Sequence, residues 1–361
     1  MPVATQRGGA EATLLDVVRH GGHKARWLVV FLEDGPMVKT VERLDAQALV
    51  IPAGRVRDLG RLVRTLRALG RALRGWRPDV VVSWMTKAHL YAAPVAALLG
   101  IPSYWFQHGI PSATDPIDRA ATLLPARGVF APSRTVADAQ ASLRPRRAVH
   151  VAYPGAELPG AVDRDGPRET MATWTSERAP VIGVVARLQR WKGVHVVIEA
   201  LRLLLATHPD AHLVVVGGDH PLEPGYREHL AHLADRLGLA DRVHLVGYQA
   251  DAVGWMGACD VVVHASDREP FGIVVLEAMA LGKPLVAGSA GGPAEVVRDG
   301  VDGFLVSYGD TAALADRIGR YLSDPVLARR FGEAAAARAA SFSPARFADD
   351  VLAPLQHHAQ C

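Results

Sequence analysis

Cysteine is nearly absent from this sequence of 361 residues, which contains two, Cys259 and Cys361, far apart. Because neither belongs to a CxxC pair, a disulfide framework or a thiolate metal site is disfavoured and a reducing compartment is favoured. No apolar run approaches the ~20 residues of a membrane-spanning helix. The start, "MPVATQRGGAEA", has no apolar signal-peptide core. The sequence therefore predicts a cytoplasmic protein.

Metal and dinucleotide motifs are also missing. The histidines show no ligand spacing such as HExxH. The segment "DRD" at 163–165 imitates a metal-binding DxD, but it lies between Gly and Pro and not at the end of an apolar strand. "VVVGGDH" at 214–220 lacks a G-x-G-x-x-G followed by an acidic residue. We therefore expect neither a metal nor a cofactor.

Short β-branched runs alternate with helical patterns along the whole chain. In the first half they span 26–32, 48–52, 79–84, 102–107, 128–133 and 148–153; in the second, 181–186, 212–217, 243–247, 260–265, 284–288 and 303–307. This alternation predicts an α/β protein with doubly wound parallel sheets and helices on both faces.

The chain divides into two halves of this kind. The segment "PGAELPGAVDRDGPRET" between them is rich in Gly, Pro and charge, as interdomain linkers are. We predict two Rossmann-like domains, 1–157 and 158–344, facing each other across a cleft, with a helix at 345–361 packing back on the first. Only "MPVAT" precedes the first glycine loop, so we expect the first strand of the N-terminal domain to be missing or truncated.

Residues 55–77 form a strongly basic segment with eight Arg and one Asp. Its arginines recur every three or four residues, which predicts an amphipathic helix. The apolar residues of the opposite stripe are Leu59, Leu62, Val63, Leu66, Leu69 and Leu73. The helix is either a core-packed element with a solvated outer face or a dock for an anionic membrane surface. No reader motif supports nucleic acid as the partner.

Charged side chains follow the predicted strands at their carboxyl ends, where ligands bind in open α/β sheets. Arg187 and Lys192 follow the first strand of the second half, and Glu269 follows the fourth. Glu277 lies in a helix that is otherwise apolar, where an unpartnered carboxylate costs several kcal/mol. Two cations beside a helix N-terminus suit a diphosphate, and a carboxylate suits a sugar diol. We therefore predict a nucleotide diphosphate sugar as the ligand.

Several stretches resemble the family 4 retaining glycosyltransferases, which have the GT-B fold. "EPFGIVVLEAMALGKPLVAGSAGGPAEVVRDGVDGFLV" carries the E-x7-E spacing at Glu269 and Glu277, followed by GG-x-x-E at 291–295. The resemblance extends over nearly the whole chain. Its other parts are the first glycine loop "GGAEATLLDV", the N-domain histidine "WFQHG", the Arg/Lys segment "ARLQRWKGVHVVIEAL" and the nucleotide-binding stretch "VGYQADAVGWMGACDVVVHAS".

The resemblance implies a role for each candidate site residue in the second half of the chain. Arg187 and Lys192 would neutralise the leaving diphosphate, and Glu277 would bind the ribose. Glu269 would hold the sugar of the donor together with backbone amides. The remaining residues that would bind the sugar donor are Phe271, Gly272, Ile273, Val274 and, near the base, Gly247.

The resemblance also implies roles in the first half and a reaction. His108 would approach the donor's sugar or phosphate, and Gly8 and Gly9 would let the backbone come close to phosphates or acceptor. The enzyme would be a metal-independent hexosyltransferase that retains the anomeric configuration by front-face displacement, relying on positioning and charge stabilisation.

The substrates and two alternatives stay open at this point. UDP is favoured over GDP as the nucleotide, and the acceptor would be a glycan or a lipid-linked glycan, as in polysaccharide biosynthesis. The arginine-rich helix would make the enzyme peripheral at the inner face of the membrane. The alternatives are a catalytically inactive protein that binds sugar nucleotides or acts as a scaffold, and a GT-B-type epimerase.

Overall fold

The computed structural model describes residues 1–2, 4, 8–54, 58–144, 146–157, 161–176 and 178–359, with side chains up to residue 356. The chain forms two compact units. Unit 1 comprises residues 1–155 and 343–361, and unit 2 comprises residues 156–342. From the sequence alone, the corresponding boundaries were placed after residues 157 and 344.

Unit 1 alternates helices and strands. Its elements up to the linker are α1 (Gly9–Gly21), β1 (Leu28–Phe31), α2 (Pro36–Glu42), β2 (Gln47–Val50), α3 (Leu59–Trp76), β3 (Val81–Trp84), α4 (Thr86–Leu98), β4 (Ser103–Phe106), α5 (Pro116–Leu123), β5 (Gly128–Ala131), α6 (Arg134–Leu143) and β6 (Ala148–Val151). All six strands overlap the runs predicted for the first half, and every pairing is parallel.

The strands of unit 1 form two sheets in the described residues, β1–β2 and β3–β4–β5–β6. Met1 lies along the edge of β1 that faces away from β2. Its ammonium group donates to the carbonyl oxygen of Val30 at 2.9 Å, and its carbonyl oxygen accepts from the amide of Leu32 at 3.0 Å. The described residues before α1 are therefore bonded to β1 without forming a strand of their own.

Unit 2 has the same alternation. Its elements are α7 (Asp165–Met171), β7 (Val181–Val185), a 3-10 turn (Arg190–Lys192), α8 (Val194–Leu204), β8 (His212–Val216), α9 (Tyr226–Arg236), β9 (Val243–Gly247), α10 (Ala252–Ala258), β10 (Val261–His264), α11 (Ile273–Ala280), β11 (Leu285–Gly288), α12 (Pro293–Val296), β12 (Phe304–Val306), α13 (Thr311–Ser323) and α14 (Pro325–Ala339). Its six strands coincide with the six predicted runs of the second half.

The sheet of unit 2 is wholly parallel, in the order β12–β11–β10–β7–β8–β9. The chain begins in the middle at β7, moves outward through β8 and β9, and then crosses to β10 on the other side of β7. The winding therefore reverses between β7 and β10. The carboxyl ends of these two strands form the topological switch point at which open α/β sheets bind ligands.

A final helix, α15 (Pro344–Ala359), belongs to unit 1. Phe347 and Val351 of this helix are buried in the same core as Phe106 of β4 and Phe130 of β5. Their burial removes the apolar face of α15 from water, which is the main force that holds the helix on unit 1.

The arginine-rich segment forms α3, although its residues 55–57 lie outside the described part of the chain. Leu69 and Leu73 pack into the core, as predicted. Leu59 and Val63 were assigned to the buried stripe, and that assignment is wrong: they are 71% and 42% exposed. The first turns of α3 extend past the surface on which the helix packs, so apolar and basic side chains are exposed together there. No described helix is both long and apolar enough to cross a bilayer.

Candidate active site

The chain after β7 brings the two predicted cations to the switch point. Arg187 follows the strand by two residues, is exposed and makes no ion pair with a described residue. Lys192 ends the 3-10 turn, which approaches β10 closely because Gly193 follows it with φ 72°. A Cβ atom at Gly193 would lie 2.0 Å from the carbonyl oxygen of Ala265. Glycine is therefore required for Lys192 to reach the end of β10.

Lys192 forms an ion pair with Glu269, whose side chain lies in the loop after β10. Oε2 of Glu269 is 2.5 Å from Nζ of Lys192, 3.0 Å from Nε2 of His264 and 3.2 Å from Oγ of Ser266. Burial alone would raise the pKa of Glu269. The positive charge of Lys192 and the hydrogen bond from His264 outweigh it and hold the pKa at about 2. Glu269 is therefore ionised at physiological pH.

Two consecutive glycines hold the backbone around Glu269. The amide of Gly292 donates to the carbonyl oxygen of Glu269 at 2.8 Å. At Gly291, φ is 79° and a Cβ atom would lie 2.1 Å from the same oxygen; at Gly292, it would lie 2.3 Å from Cα of Phe271. The GG of the sequence motif GG-x-x-E thus allows the two loops to touch.

The helix α11 starts at this loop with its first amides uncapped. Phe271 is buried, and Gly272 is the N-cap with φ 89° and no side chain to accept from the first turn. Ile273 and Val274, the first two helical residues, are partly exposed. Free amides and the helix dipole make this end of α11 suitable for an anion.

Glu277 lies one turn further along α11 on the side of Ile273, because residues four apart share a helix face. The sequence suggested a helix buried all round, and this is wrong for one stripe: Ile273, Glu277 and Ala280 are partly exposed. Burial still raises the pKa of Glu277 to about 7. The carboxylate has no hydrogen-bond or ion-pair partner among the described residues, so it is available to a ligand.

Gly247 lies apart from this group at the carboxyl end of β9, which is separated from β7 by β8. It adopts φ 76°, and its carbonyl oxygen accepts from the amide of Gly217 at 2.8 Å. Tyr248, the next residue, is 66% exposed. The end of β9 is thus open, but no contact in the structure assigns it a ligand.

The predicted residues of unit 1 lie together at the carboxyl ends of β3 and β4. Gly8 is the N-cap of α1, and Gly9 is the first residue of that helix. The indole N–H of Trp84, the last residue of β3, donates to the carbonyl oxygen of Ala10 at 2.7 Å. His108 lies two residues after β4, with its ring centroid 5.2 Å from that of Trp84. Trp84 thus connects the glycine loop to the histidine.

His108 is a neutral residue in this environment. Its ring stacks on Phe106, with centroids 4.4 Å apart and an interplanar angle of 16°. Burial lowers its pKa to about 3. Its Nε2 is buried and has no hydrogen-bond partner among the described residues. His108 can therefore offer a hydrogen bond to a ligand but not a positive charge.

Three residues of the site were not predicted from the sequence. His264 and Ser266 bind the carboxylate of Glu269, and Gly193 admits the turn that carries Lys192. His264 ends the apolar run "VVVH", and Ser266 lies two residues after it. The expectation that ligand-binding groups follow strands could therefore have found both. In the described residues, no three His, Cys, Asp or Glu side chains are grouped as a metal site.

The sequence matches two protein-family models in succession. Residues 7–158 match the model described as Glycosyltransferase Family 4, and residues 169–338 match the one described as Glycosyl transferases group 1. The two matches meet where unit 1 gives way to unit 2.

Similar sequences include glycosyltransferases with different names. D-inositol 3-phosphate glycosyltransferase of Mycolicibacterium gilvum is 35% identical over 207 residues, which cover 56% of this chain and 45% of that protein. The lipopolysaccharide core biosynthesis glycosyltransferase LpsE of Rhizobium meliloti is 35% identical over 159 residues, 44% of each chain. The chain spans about half the length of the curated relatives that it matches.

Structural similarity extends over the whole chain. The crystal structure of Anabaena HepE in complex with UDP and glucose has a TM-score of 0.87 to this structure and is 28% identical in sequence. The match covers 98% of this chain and 97% of the HepE chain.

Proposed function

Because the chain belongs to the family 4 glycosyltransferases, which have the GT-B fold, we propose that it transfers a sugar from a nucleotide diphosphate sugar to a glycan or lipid-linked acceptor. The observation that carries this proposal is the row of groups at the switch point of unit 2. Two cations and an uncapped helix N-terminus lie there, followed one turn further along by a carboxylate that pairs with none of the described residues. A UDP-sugar is the expected donor, ahead of a GDP-sugar; the HepE complex with UDP and glucose supports this choice.

The diphosphate is expected at the start of α11. The amides of Ile273 and Val274 can donate to phosphate oxygens, and the helix dipole favours negative charge there. Arg187 is exposed and has no ion-pair partner among the described residues, so its guanidinium can bind a second phosphate oxygen. The positive charge of Lys192 stabilises the leaving group more strongly as negative charge develops on it.

Glu277 is expected to bind the ribose. A carboxylate can accept a hydrogen bond from each of two neighbouring hydroxyl groups. One helical turn separates Glu277 from the amides of the first turn, about 5–6 Å along the axis. That separation suits a ribose attached directly to a diphosphate at the helix N-terminus.

Glu269 is expected to bind hydroxyl groups of the transferred sugar through its oxygen Oε1. Glu269 is ionised and lies beside Lys192. The sugar of the donor is attached to the diphosphate, so it would lie next to this carboxylate. The further donor contact predicted for Gly247, near the base, stays a prediction. So do the contacts of His108, Gly8 and Gly9 with the sugar donor or acceptor.

The expected reaction keeps the anomeric configuration without a metal ion. The acceptor hydroxyl attacks the anomeric carbon on the face from which the diphosphate departs, and a phosphate oxygen of the leaving group takes the hydroxyl proton. The protein's part is to hold both reactants and to stabilise the leaving diphosphate through Arg187, Lys192 and the amides of α11.

Binding and turnover of sugar nucleotides test this function. We expect UDP-glucose to stabilise the protein against heat more than GDP- or ADP-glucose does. At a UDP-glucose concentration of a hundred times its dissociation constant, the free energy of unfolding should rise by about 2.7 kcal/mol. With water as a slow acceptor, proton NMR should detect α-glucose as the first product. Stabilisation without any product would identify an inactive binding protein. Stabilisation by none of the three nucleotides would contradict the proposal.

A lipid-linked acceptor would be reached at the inner face of a membrane, and α3 is the element that fits such a surface. Arg67, Arg71 and Arg74 have no acidic partner among the described residues, and the exposed Leu59 and Val63 lie on the same helix. Basic and apolar groups exposed together favour the headgroup region of anionic lipids. The relative named for lipopolysaccharide core biosynthesis supports an acceptor of this class.

Charge reversal on α3 tests the membrane surface. The wild type should sediment with vesicles that contain a quarter of phosphatidylglycerol at low salt. It should not sediment with them in 0.5 M salt, because salt screens the attraction between the arginines and the anionic lipid. The variant Arg64→Glu/Arg67→Glu/Arg71→Glu should not sediment at all.

The control for net charge is a triple reversal on exposed helices of unit 2, Arg202→Glu/Arg236→Glu/Arg329→Glu. It changes the total charge equally and should sediment as the wild type does. If both triple variants lose binding to the same extent, α3 is not a specific membrane surface.

A further inference from the structure

The two carboxylate oxygens of Glu269 have different surroundings. Oε2 accepts from Lys192 at 2.5 Å, from His264 at 3.0 Å and from Ser266 at 3.2 Å. Oε1 has no hydrogen-bond partner among the described residues, and the side chain keeps 11% of its surface exposed. One oxygen is thus saturated by the protein, and the other is left for a ligand.

His264 contacts the carboxylate of Glu269 through Nε2. It is 5% exposed, and its Nδ1 is buried without a partner among the described residues. Its Nε2 faces an oxygen of the ionised Glu269, which can only accept a hydrogen bond. The hydrogen therefore belongs on Nε2, which faces Oε2 of Glu269 and Oγ of Ser266, 3.1 Å away. The Ser266 hydroxyl donates to the same Oε2.

We propose that His264 and Ser266 are positioning residues that orient Glu269 with Oε1 toward the sugar of the donor and keep it ionised while Lys192 turns its charge to the leaving diphosphate. The proposal rests on the function proposed above and adds two residues that act through Glu269.

The physical reason lies in the competition for Lys192. Glu269 is nearly buried, so it needs hydrogen bonds to stay charged. If Lys192 were its single partner, any movement of the ammonium group toward phosphate would leave a buried charge uncompensated. The hydrogen bonds from His264 and Ser266 stabilise the carboxylate whether or not Lys192 stays in contact with it. They also fix its rotation, because both act on Oε2.

Turnover of variants separates positioning from a structural role. His264→Phe and Ser266→Ala should each lower kcat for UDP-glucose by about 10–100-fold, the range for a group that orients a reacting pair. The affinity for UDP, which lacks the sugar, should change less than twofold. His264→Gln keeps an N–H near the position of Nε2 and should recover most of the activity.

The matched control is Ser289→Ala, which removes an exposed serine directly after the neighbouring strand β11 and should act as the wild type. Thermal unfolding of each variant distinguishes a local effect from a loss of fold. Equal loss of UDP affinity and kcat, or a fully active His264→Phe, would overturn the positioning role.

A second measurement needs no sugar donor. Carbon-13 NMR of labelled glutamate carboxyls can follow the titration of Glu269 in the ligand-free protein. Because His264 donates to the ionised form, the pKa of Glu269 should rise in His264→Phe and stay close to that of the wild type in His264→Gln. An unchanged titration in His264→Phe would refute the proposal even if UDP-glucose is the wrong donor. If the pKa of Glu269 rises in His264→Phe but the wild type does not turn over UDP-glucose, only the proposed function is refuted.

Discussion

Replacing Glu277 by glutamine is expected to stabilise the ligand-free protein above pH 7 and to leave its stability at pH 5 nearly unchanged. Burial raises the pKa of Glu277 from 4.5 to about 7. A carboxyl group with a raised pKa stabilises the fold fully below its unfolded pKa, and this contribution is lost as the pH rises through about 7. Glutamine does not ionise, so the variant avoids the loss.

The size of the effect follows from the pKa. A rise from 4.5 to about 7 corresponds to about 3 kcal/mol, which partial exposure to water reduces to ~1–2 kcal/mol. Thermal unfolding at pH 8.5 should therefore show the variant a few degrees above the wild type, at about 2–4 °C per kcal/mol. The control is Glu333→Gln, an exposed glutamate on α14. If the melting temperatures of wild type and Glu277→Gln differ equally at pH 5 and pH 8.5, ionisation is not the cause.

The same substitution should weaken the binding of UDP-glucose. Only the carboxylate can accept from both ribose hydroxyls, and hydrogen bonds to charged groups contribute about 1.5–3 kcal/mol, or ~10–100-fold in affinity. The wild type should therefore bind more tightly at pH 8 than at pH 6, whereas the variant should show no such increase. Calorimetry with UDP-glucose is suitable because its diphosphate does not titrate in this range. Equal affinities at pH 8 would show that Glu277 does not hold the ribose.

Replacing Lys192 by methionine is expected to destabilise the protein and to slow sugar transfer strongly. Lys192 is the one lysine or arginine that forms an ion pair with Glu269 among the described residues. Removing one partner of a buried pair costs about 3–5 kcal/mol when the other charge is left without partners; we expect the lower end of this range, because His264 and Ser266 still donate to Glu269. Loss of a group that stabilises the leaving diphosphate should reduce kcat by roughly 10²–10³-fold.

The double variant Lys192→Met/Glu269→Gln distinguishes the two effects. It removes both charges, so most of the lost stability should return in urea unfolding, while UDP-glucose turnover should stay as low as in Lys192→Met. Together with Glu269→Gln alone, the set forms a double-mutant cycle that measures the coupling of the pair. A double variant no more stable than Lys192→Met would show that lost packing, not the unpaired carboxylate, causes the destabilisation.

The strands were predictable because their signal is local. Runs such as "HLVVVG" combine β-branched side chains with an absence of polar residues, which fits a strand covered on both faces. In β8 every residue is buried, as that pattern requires. The glycine loops and the placement of charged residues after strands also follow from short stretches, so the positions of Arg187, Lys192, Glu269 and Glu277 relative to the strands were correct.

The environment of each charge was not predictable in the same way. Lys192 and Glu269 are 77 residues apart in sequence, and their contact depends on β7 lying beside β10. The stripe of α11 that leaves Glu277 partly exposed depends on which neighbours cover the helix, as does the exposure of Leu59 and Val63 on α3.

The sequence by itself determined the α/β alternation, the two units and the residue types at the strand ends, since each depends on residues close together in the chain. Only the tertiary structure decided which carboxylate is paired and which is free. Glu269 has its pKa held at about 2 because folding brings Lys192 and His264 to one of its oxygens. Glu277 has its pKa raised to about 7 because folding removes water and no described residue pairs with its carboxylate. Desolvation and pairing are properties of the packed chain, and they distinguish two glutamates that the sequence shows as one motif.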